Sequence, residues 1–199
     1  MITRRTAMMG AGGMLMVRPA RAQHVHHGFD PAVPQPPSRL VRNYRMPSVP
    51  LVDQTGKAAD LAAELQKPGP VLMTFIFTTC PGICPILSSV VAATTDALGP
   101  ERAGVRFWSL TIDPDHDGPA ELAAYADMFG AGPEWRLFTG APGAIGAVRL
   151  AFEADSDIKM AHRALYLLRI REASWARFEG DVTPEHLAGA AREVLAAQS

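Results

Sequence analysis

Only two cysteines occur in 199 residues, Cys80 and Cys84, with three residues between them. A pair so close in sequence would cross-link a tiny loop, and the stabilisation from a disulfide grows with loop size, so a disulfide scaffold is excluded. An excess of either charge is also missing, with 19 Lys and Arg against 20 Asp and Glu and a formal net charge of −1. That balance conceals an asymmetry, because residues 1–22 hold Arg4, Arg5, Arg18 and Arg21 and no acid. Without them the remainder carries −5, and such a body has no basic stripe to neutralise phosphates, which excludes nucleic acid as a partner. Long apolar runs are lacking too. The stretch Ala7 to Val17 is about half of the ~20 residues a spanning helix needs, and no other segment is expected to reach that length.

What is present suits one globular domain. About half of the residues are hydrophobic (48%), enough for a core with short terminal extensions. Residues 1–22 read as an export signal: paired arginines, an apolar stretch, then Ala20-Arg21-Ala22 as a small-x-small cleavage site that makes Gln23 the first mature residue. The arginine pair points to the twin-arginine route, and an uncleaved membrane anchor is the alternative. Residues 23–48 have the composition of a flexible linker, with His24, His26 and His27 followed by Pro31, Pro34, Pro36 and Pro37. The three histidines read either as a polar tail or as a weak capture site for Cu(II) or Ni(II). Residues 49–199 then form the domain.

Within it, Val49 to Val52 and the turn at Gly56 predict a hairpin, and Leu61 to Leu65 a short helix. Val71 to Phe77 is a continuous β-rich apolar run, as expected of a central strand covered on both faces. It leads directly into Thr78-Thr79-Cys80-Pro81-Gly82-Ile83-Cys84-Pro85 and a helix to about Leu98, with Pro85 in its first turn. Val105 to Ile112 predicts a second buried strand, Pro119 to Phe129 a helix, Trp135 to Phe138 a strand and Ala144 to Phe152 a helix. Ala164 to Ile170 and Trp175 to Phe178 predict an antiparallel pair around Glu172, followed by a final helix from Pro184 to Ala197 capped by Thr183. This order is that of an α/β, thioredoxin-like fold, a central mixed sheet flanked by helices, with the strand-to-helix turn after the first central strand at its working edge.

That turn carries both cysteines, and a four-residue step brings their side chains to one side of the chain. The helix start sets positive dipole and free N–H groups beside them, favouring thiolate, which is both the nucleophile of disulfide exchange and a ligand for soft metals. Reductases of the thioredoxin type keep two residues between their cysteines; the three found here leave room for an ion between the sulfurs. His162, just ahead of the apolar run from Ala164, is the candidate third ligand. Two thiolates and an imidazole suit Cu(I), and can hold Cu(II) or Zn(II). Asp113 and Asp117 are expected to cap a turn and the helix starting near Pro119, hard carboxylates being poor Cu(I) ligands, and His116 between them carries equally little weight as a ligand. Met160 is expected to pack.

Thr74-Phe-Ile-Phe-Thr-Thr-Cys80-Pro-Gly-Ile-Cys84-Pro85 is very similar to the signature of the Sco/SenC family, and Val105 to Asp117 resembles that family's following strand and Asp-Pro-x-x-Asp loop. His162 stands where the family keeps its metal-binding histidine, although Ala161 precedes it where Asp is usual. The resemblance implies a periplasmic copper metallochaperone that assists assembly of the dinuclear copper site of cytochrome c oxidase. Its copper ion would be held by Cys80, Cys84 and His162. Its partners would be the copper-acceptor subunit of the oxidase and a second periplasmic copper carrier, with membrane contact only through the partner or an uncleaved leader. The enzymatic alternative is a thiol-disulfide oxidoreductase whose redox pair is Cys80 and Cys84, acting on the acceptor's cysteines. A peroxiredoxin would need Thr and Pro where Phe77 and Met73 stand.

Overall fold

The computed structural model of the protein describes residues 37–154 and 164–198. The export signal, the three N-terminal histidines, Met160 and His162 lie outside the described residues. Eight strands form one sheet in the order β1-β8-β7-β4-β5-β6-β2-β3. Its centre is β4 (Val71–Ile76), every residue of which is buried, as the uninterrupted apolar run requires. The next strand, β5 (Arg106–Thr111), pairs parallel to β4, and β6 (Trp135–Gly140) pairs parallel to β5. On the other side β7 (Tyr166–Arg171) runs antiparallel to β4 and turns through Glu172, at φ 38°, into β8 (Ser174–Glu179). The far edge is the hairpin of β2 (Leu51–Asp53) and β3 (Ala58–Ala59), whose turn uses Gly56 at φ 80°, a left-handed conformation that costs glycine little.

Among the described residues five helices follow the predicted order: α1 (Leu61–Glu64), α2 (Ile83–Leu98), α3 (Pro119–Met128), α4 (Pro142–Ala151) and α5 (Pro184–Ala196). Asp60 caps α1, accepting from the Ala63 amide, and Thr183 caps α5 in a reciprocal arrangement with His186. The buried face of α2 comprises Cys84, Leu87, Ser88, Val91, Thr94 and Leu98. Together with the 3-10 turn Gly99–Gly104, α2 makes a 22-residue helical stretch that is apolar enough by composition to cross a membrane, contrary to the expectation that no such segment follows the leader. Its amphipathic inward face and its packing along α5 account for that apolarity as core.

The extent of the linker also differs from expectation. Ser38–Asn43, inside the stretch read as linker, is strand β1, paired antiparallel with β8 from Ser38↔Glu179 to Asn43↔Ser174. Five of its six residues are exposed, so the strand buries no face and leaves no hydrophobic alternation to read. Its backbone satisfies the otherwise open edge of β8, and Arg39 adds an ion pair to Glu193.

Candidate metal centre

Parallel pairing of β4 with β5 brings the loops that leave both strands to the same edge of the sheet. The first carries Thr78 to Gly82, and the second Asp113 to Gly118. Both cysteines are free and buried: Cys80 retains 8% of its surface and Cys84 none. The backbone N–H of Cys84 donates to Cys80 Sγ at 3.4 Å, so the start of α2 aims an otherwise orphaned amide at the sulfur, as the strand-to-helix setting predicts. At Cys84 the metal-free structure opposes the thiolate that the helix start favours. Burial pushes its thiol well up, with Cys80 and the Asp117 carboxylate adding to the effect, and a backbone hydrogen bond from Phe77 only partly opposes it. Desolvation of the charged form outweighs the helix dipole here.

Asp117 has a different task from the one its sequence position suggests. The cap of α3 is Gly118, which makes no side-chain cap bond. The wholly buried Asp117 carboxylate instead accepts from Thr78 N–H at 3.1 Å, from Thr78 Oγ1 at 2.6 Å and from Thr111 Oγ1. It therefore clamps the loop leading to Cys80 onto the end of β5. Thr111 Oγ1 also accepts from the Asp113 amide at 2.9 Å, and Asp113 accepts the Asp117 amide on its carbonyl at 2.9 Å, so Asp113 closes a turn as expected. The Asp113 carboxylate meets Nδ1 of the exposed His116 at 3.2 Å.

Behind the cysteines, Ser88 Oγ on α2 and the Tyr125 hydroxyl on α3 lie 2.9 Å apart. Burial pushes the Tyr125 phenol up to about 12, so it stays protonated and polar beside the thiols. Beneath them Ser109 Oγ meets Thr74 Oγ1 and the Trp135 indole N–H, each at 2.9 Å, closing a buried polar chain across β4, β5 and β6. Sequence reasoning missed Thr78, Thr111 and Tyr125; the only signal was the Asp-Pro-x-x-Asp spacing, which marks a loop without showing what it bonds.

The structure thus brings Cys80 and Cys84 together and sets Asp117 next to their loop. Among the described residues no three His, Cys, Asp or Glu side chains converge as a metal cluster, and His162 lies outside those residues. The described geometry offers two soft donors on one rigid turn, able to exchange with a disulfide or to grip a soft cation.

The chain is similar to known proteins. The chain is 31% identical to the SCO1 protein homolog of Bacillus subtilis over 99 residues, 49% of this chain and 50% of that protein. It is 30% identical to Protein SenC of Rhodobacter capsulatus over 119 residues, 60% of this chain and 48% of that protein. The chain therefore spans about half the length of the curated relatives it matches. Among solved structures, Bradyrhizobium japonicum ScoI with copper bound superposes with a TM-score of 0.60 at 27% identity, covering 78% of this chain and 99% of that one. A further solved relative, BsSco, has a disulfide switch and is a member of the Sco family of cytochrome c oxidase assembly proteins. The family model SCO1/SenC matches residues 42–196, most of the chain and the whole span from the end of β1 to the last helix, and the chain belongs to the SCO1/SenC family.

Proposed function

We propose that this protein is a periplasmic copper metallochaperone that holds one copper ion through Cys80, Cys84 and His162 and passes it to the dinuclear copper site of cytochrome c oxidase. The observation that carries the reading is the pair of free, buried cysteines on a clamped strand-to-helix turn, one sulfur already accepting the other residue's amide at 3.4 Å. Support for His162 comes from the register of the strand that follows it. Thr74 pairs with Tyr166 and the strands are antiparallel, so the start of β7 runs alongside the end of β4 that leads to Cys80. His162 precedes Ala164 by two residues, a reach of at most ~7 Å. Two thiolates and an imidazole form a soft set suited to Cu(I), and the buried Cys84 thiol gives up its proton as the cargo enters. The copper-bound relative supports the choice of metal.

A second reading is favoured by the adjacency of the sulfurs. Cys80, the less buried of the two, attacks an acceptor disulfide, and Cys84 resolves the mixed disulfide. Two electrons and two protons thus pass to the acceptor, whose disulfide becomes a dithiol, leaving a Cys80–Cys84 bond. His162 separates the readings, because exchange needs only sulfur. The test is oxidase activity in cells carrying His162→Ala or Cys80→Ser under copper limitation, with the thiols trapped by alkylation in parallel. The chaperone reading expects both variants to fail while His162→Ala still cycles between dithiol and disulfide. Normal oxidase assembly in His162→Ala alone would make the protein a reductase. Location is tested separately: intact mass of the exported protein should lack residues 1–22, and a mass that includes them would show an anchor.

A further inference from the structure

Helices α2, α3 and α5 all begin at the cysteine edge of the sheet, because β4, β5 and β8, which precede them, run in one direction, as does β6 before α4. Ser88 and Tyr125 tie α2 to α3, and α5 packs along α2. Glu121 occupies the first turn of α3 and Glu185 the first turn of α5, whereas α2 has no acidic residue in its first turn. What α2 exposes there is Ile86, at 60%, an anomaly on a helix whose other large apolar residues turn inward or are half-buried. Thr79, Pro81 and Gly82 of the cysteine loop are exposed next to it.

Among the described residues the charge around these helix starts has one sign, Lys159 and Arg163 lying outside them. Asp115 and Asp181 stand exposed in the loops before α3 and α5, alongside Glu121 and Glu185. No Lys or Arg occurs between Lys67 and Arg102, between Arg106 and Arg136, or between Arg177 and Arg192, the spans that contain the three helix starts and their loops. The opposite edge is mixed by contrast, with Arg45, Lys67, Arg106, Arg169 and Arg171 where β1 and β7 end and β4 and β5 begin, alongside Glu64, Glu134 and Glu172. Acids at helix starts help their own helices, but that gain does not account for Asp115 and Asp181, which lie in loops, or for an exposed isoleucine beside the cysteines.

We infer that this edge is a docking face for a partner protein whose own contact is apolar at its centre and ringed by Lys and Arg, with Ile86 as the apolar anchor. Under the proposed function that partner is the copper acceptor, and the inference rests on that reading for its identity. Acids placed around the rim steer a basic partner and orient it, while the uncharged centre lets the two metal sites approach without burying an unpaired charge.

The experiment measures docking of the apo chain to the apo, soluble copper-acceptor domain of the same cell's oxidase, at about 0.01 M and about 1 M salt, where the Debye length is about 30 Å and about 3 Å. The wild type should dock roughly tenfold or more tightly at low salt. Asp115→Lys with Asp181→Lys, both in exposed loops, should weaken low-salt docking and flatten the salt dependence. Ile86→Ser should weaken docking about tenfold at both salts with Cu(I) affinity unchanged, as loss of a central apolar anchor does. Docking indifferent to salt and to the charge reversal, or an Ile86→Ser variant that docks like the wild type, overturns the inference. A chain that binds copper yet fails to dock at either salt overturns it as well and leaves the copper reading intact. A chain that docks with this salt dependence but holds no copper supports the face and refutes the copper reading.

Discussion

Asp117 offers the sharpest test of how the cysteine turn is held. Its buried carboxylate receives the Thr78 amide, the Thr78 hydroxyl and the Thr111 hydroxyl. Asp117→Asn keeps the shape: the amide oxygen can take the two donors that share one oxygen, and the Thr78 hydroxyl can rotate to accept from the new NH2. What is lost is the charge assistance, since a bond to a charged acceptor contributes about 1.5–3 kcal/mol and a neutral one about 1, so the cost should be about 1–3 kcal/mol. Asp117→Ala leaves all three donors without their acceptor in a site closed to water, and should cost about 3–5 kcal/mol of a domain stability of order 5–15. Urea denaturation of the full chain measures both variants, and hydrogen exchange at the Thr78 amide reports the loop locally. Exchange at that amide should accelerate more in the alanine variant than in the asparagine variant. If both variants unfold within about 0.5 kcal/mol of the wild type, the carboxylate does not clamp the turn. Should asparagine cost as much as alanine, charge rather than hydrogen-bond acceptance is what holds it.

Three further outcomes follow from the same geometry. The Cys84 thiol is raised by burial, so the stability it contributes to the metal-free protein is fully present below the ordinary thiol value of about 8.5 and is lost as pH climbs above it. The urea midpoint should therefore fall between about pH 7.5 and about pH 10, and an equal fall in Cys84→Ser would assign the effect to other groups. At Asp53, burial raises the carboxyl, but hydrogen bonds from Thr55, Arg136 and the Lys57 amide outweigh it and hold it below the usual range. Its contribution is present above about pH 4 and lost on further acidification, so Arg136→Met should be less stable at neutral pH by about 2–4 kcal/mol and show a shallower acid decline; parallel acid curves would contradict the pairing. Ser109→Ala leaves the Trp135 indole N–H and the Thr74 hydroxyl without their shared partner and should cost about 1–3 kcal/mol by chemical denaturation, an unchanged midpoint showing that the chain across the three strands is not needed.

Much of this molecule follows from its sequence alone. A buried parallel strand must be apolar on both faces, so Val71 to Ile76 declares itself. Helices with one buried stripe, caps such as Thr183 and turn residues such as Gly56 are local facts, readable wherever the chain places them. The approach of Cys80 to Cys84 is likewise local, because the short turn from Cys80 into the start of α2 suffices to bring the Cys84 amide to the Cys80 sulfur. Tertiary structure decided the rest. Strand β1 buries no face, and its place is fixed by the open hydrogen bonds of β8, a partner more than 130 residues away in the sequence. Asp117 spans from one strand's exit loop to the next strand's end, a role that exists only once β4 and β5 are paired. The protonation of Cys84 is set by the core that closes over it, since spacing brings sulfurs together while burial determines whether their charge can be borne.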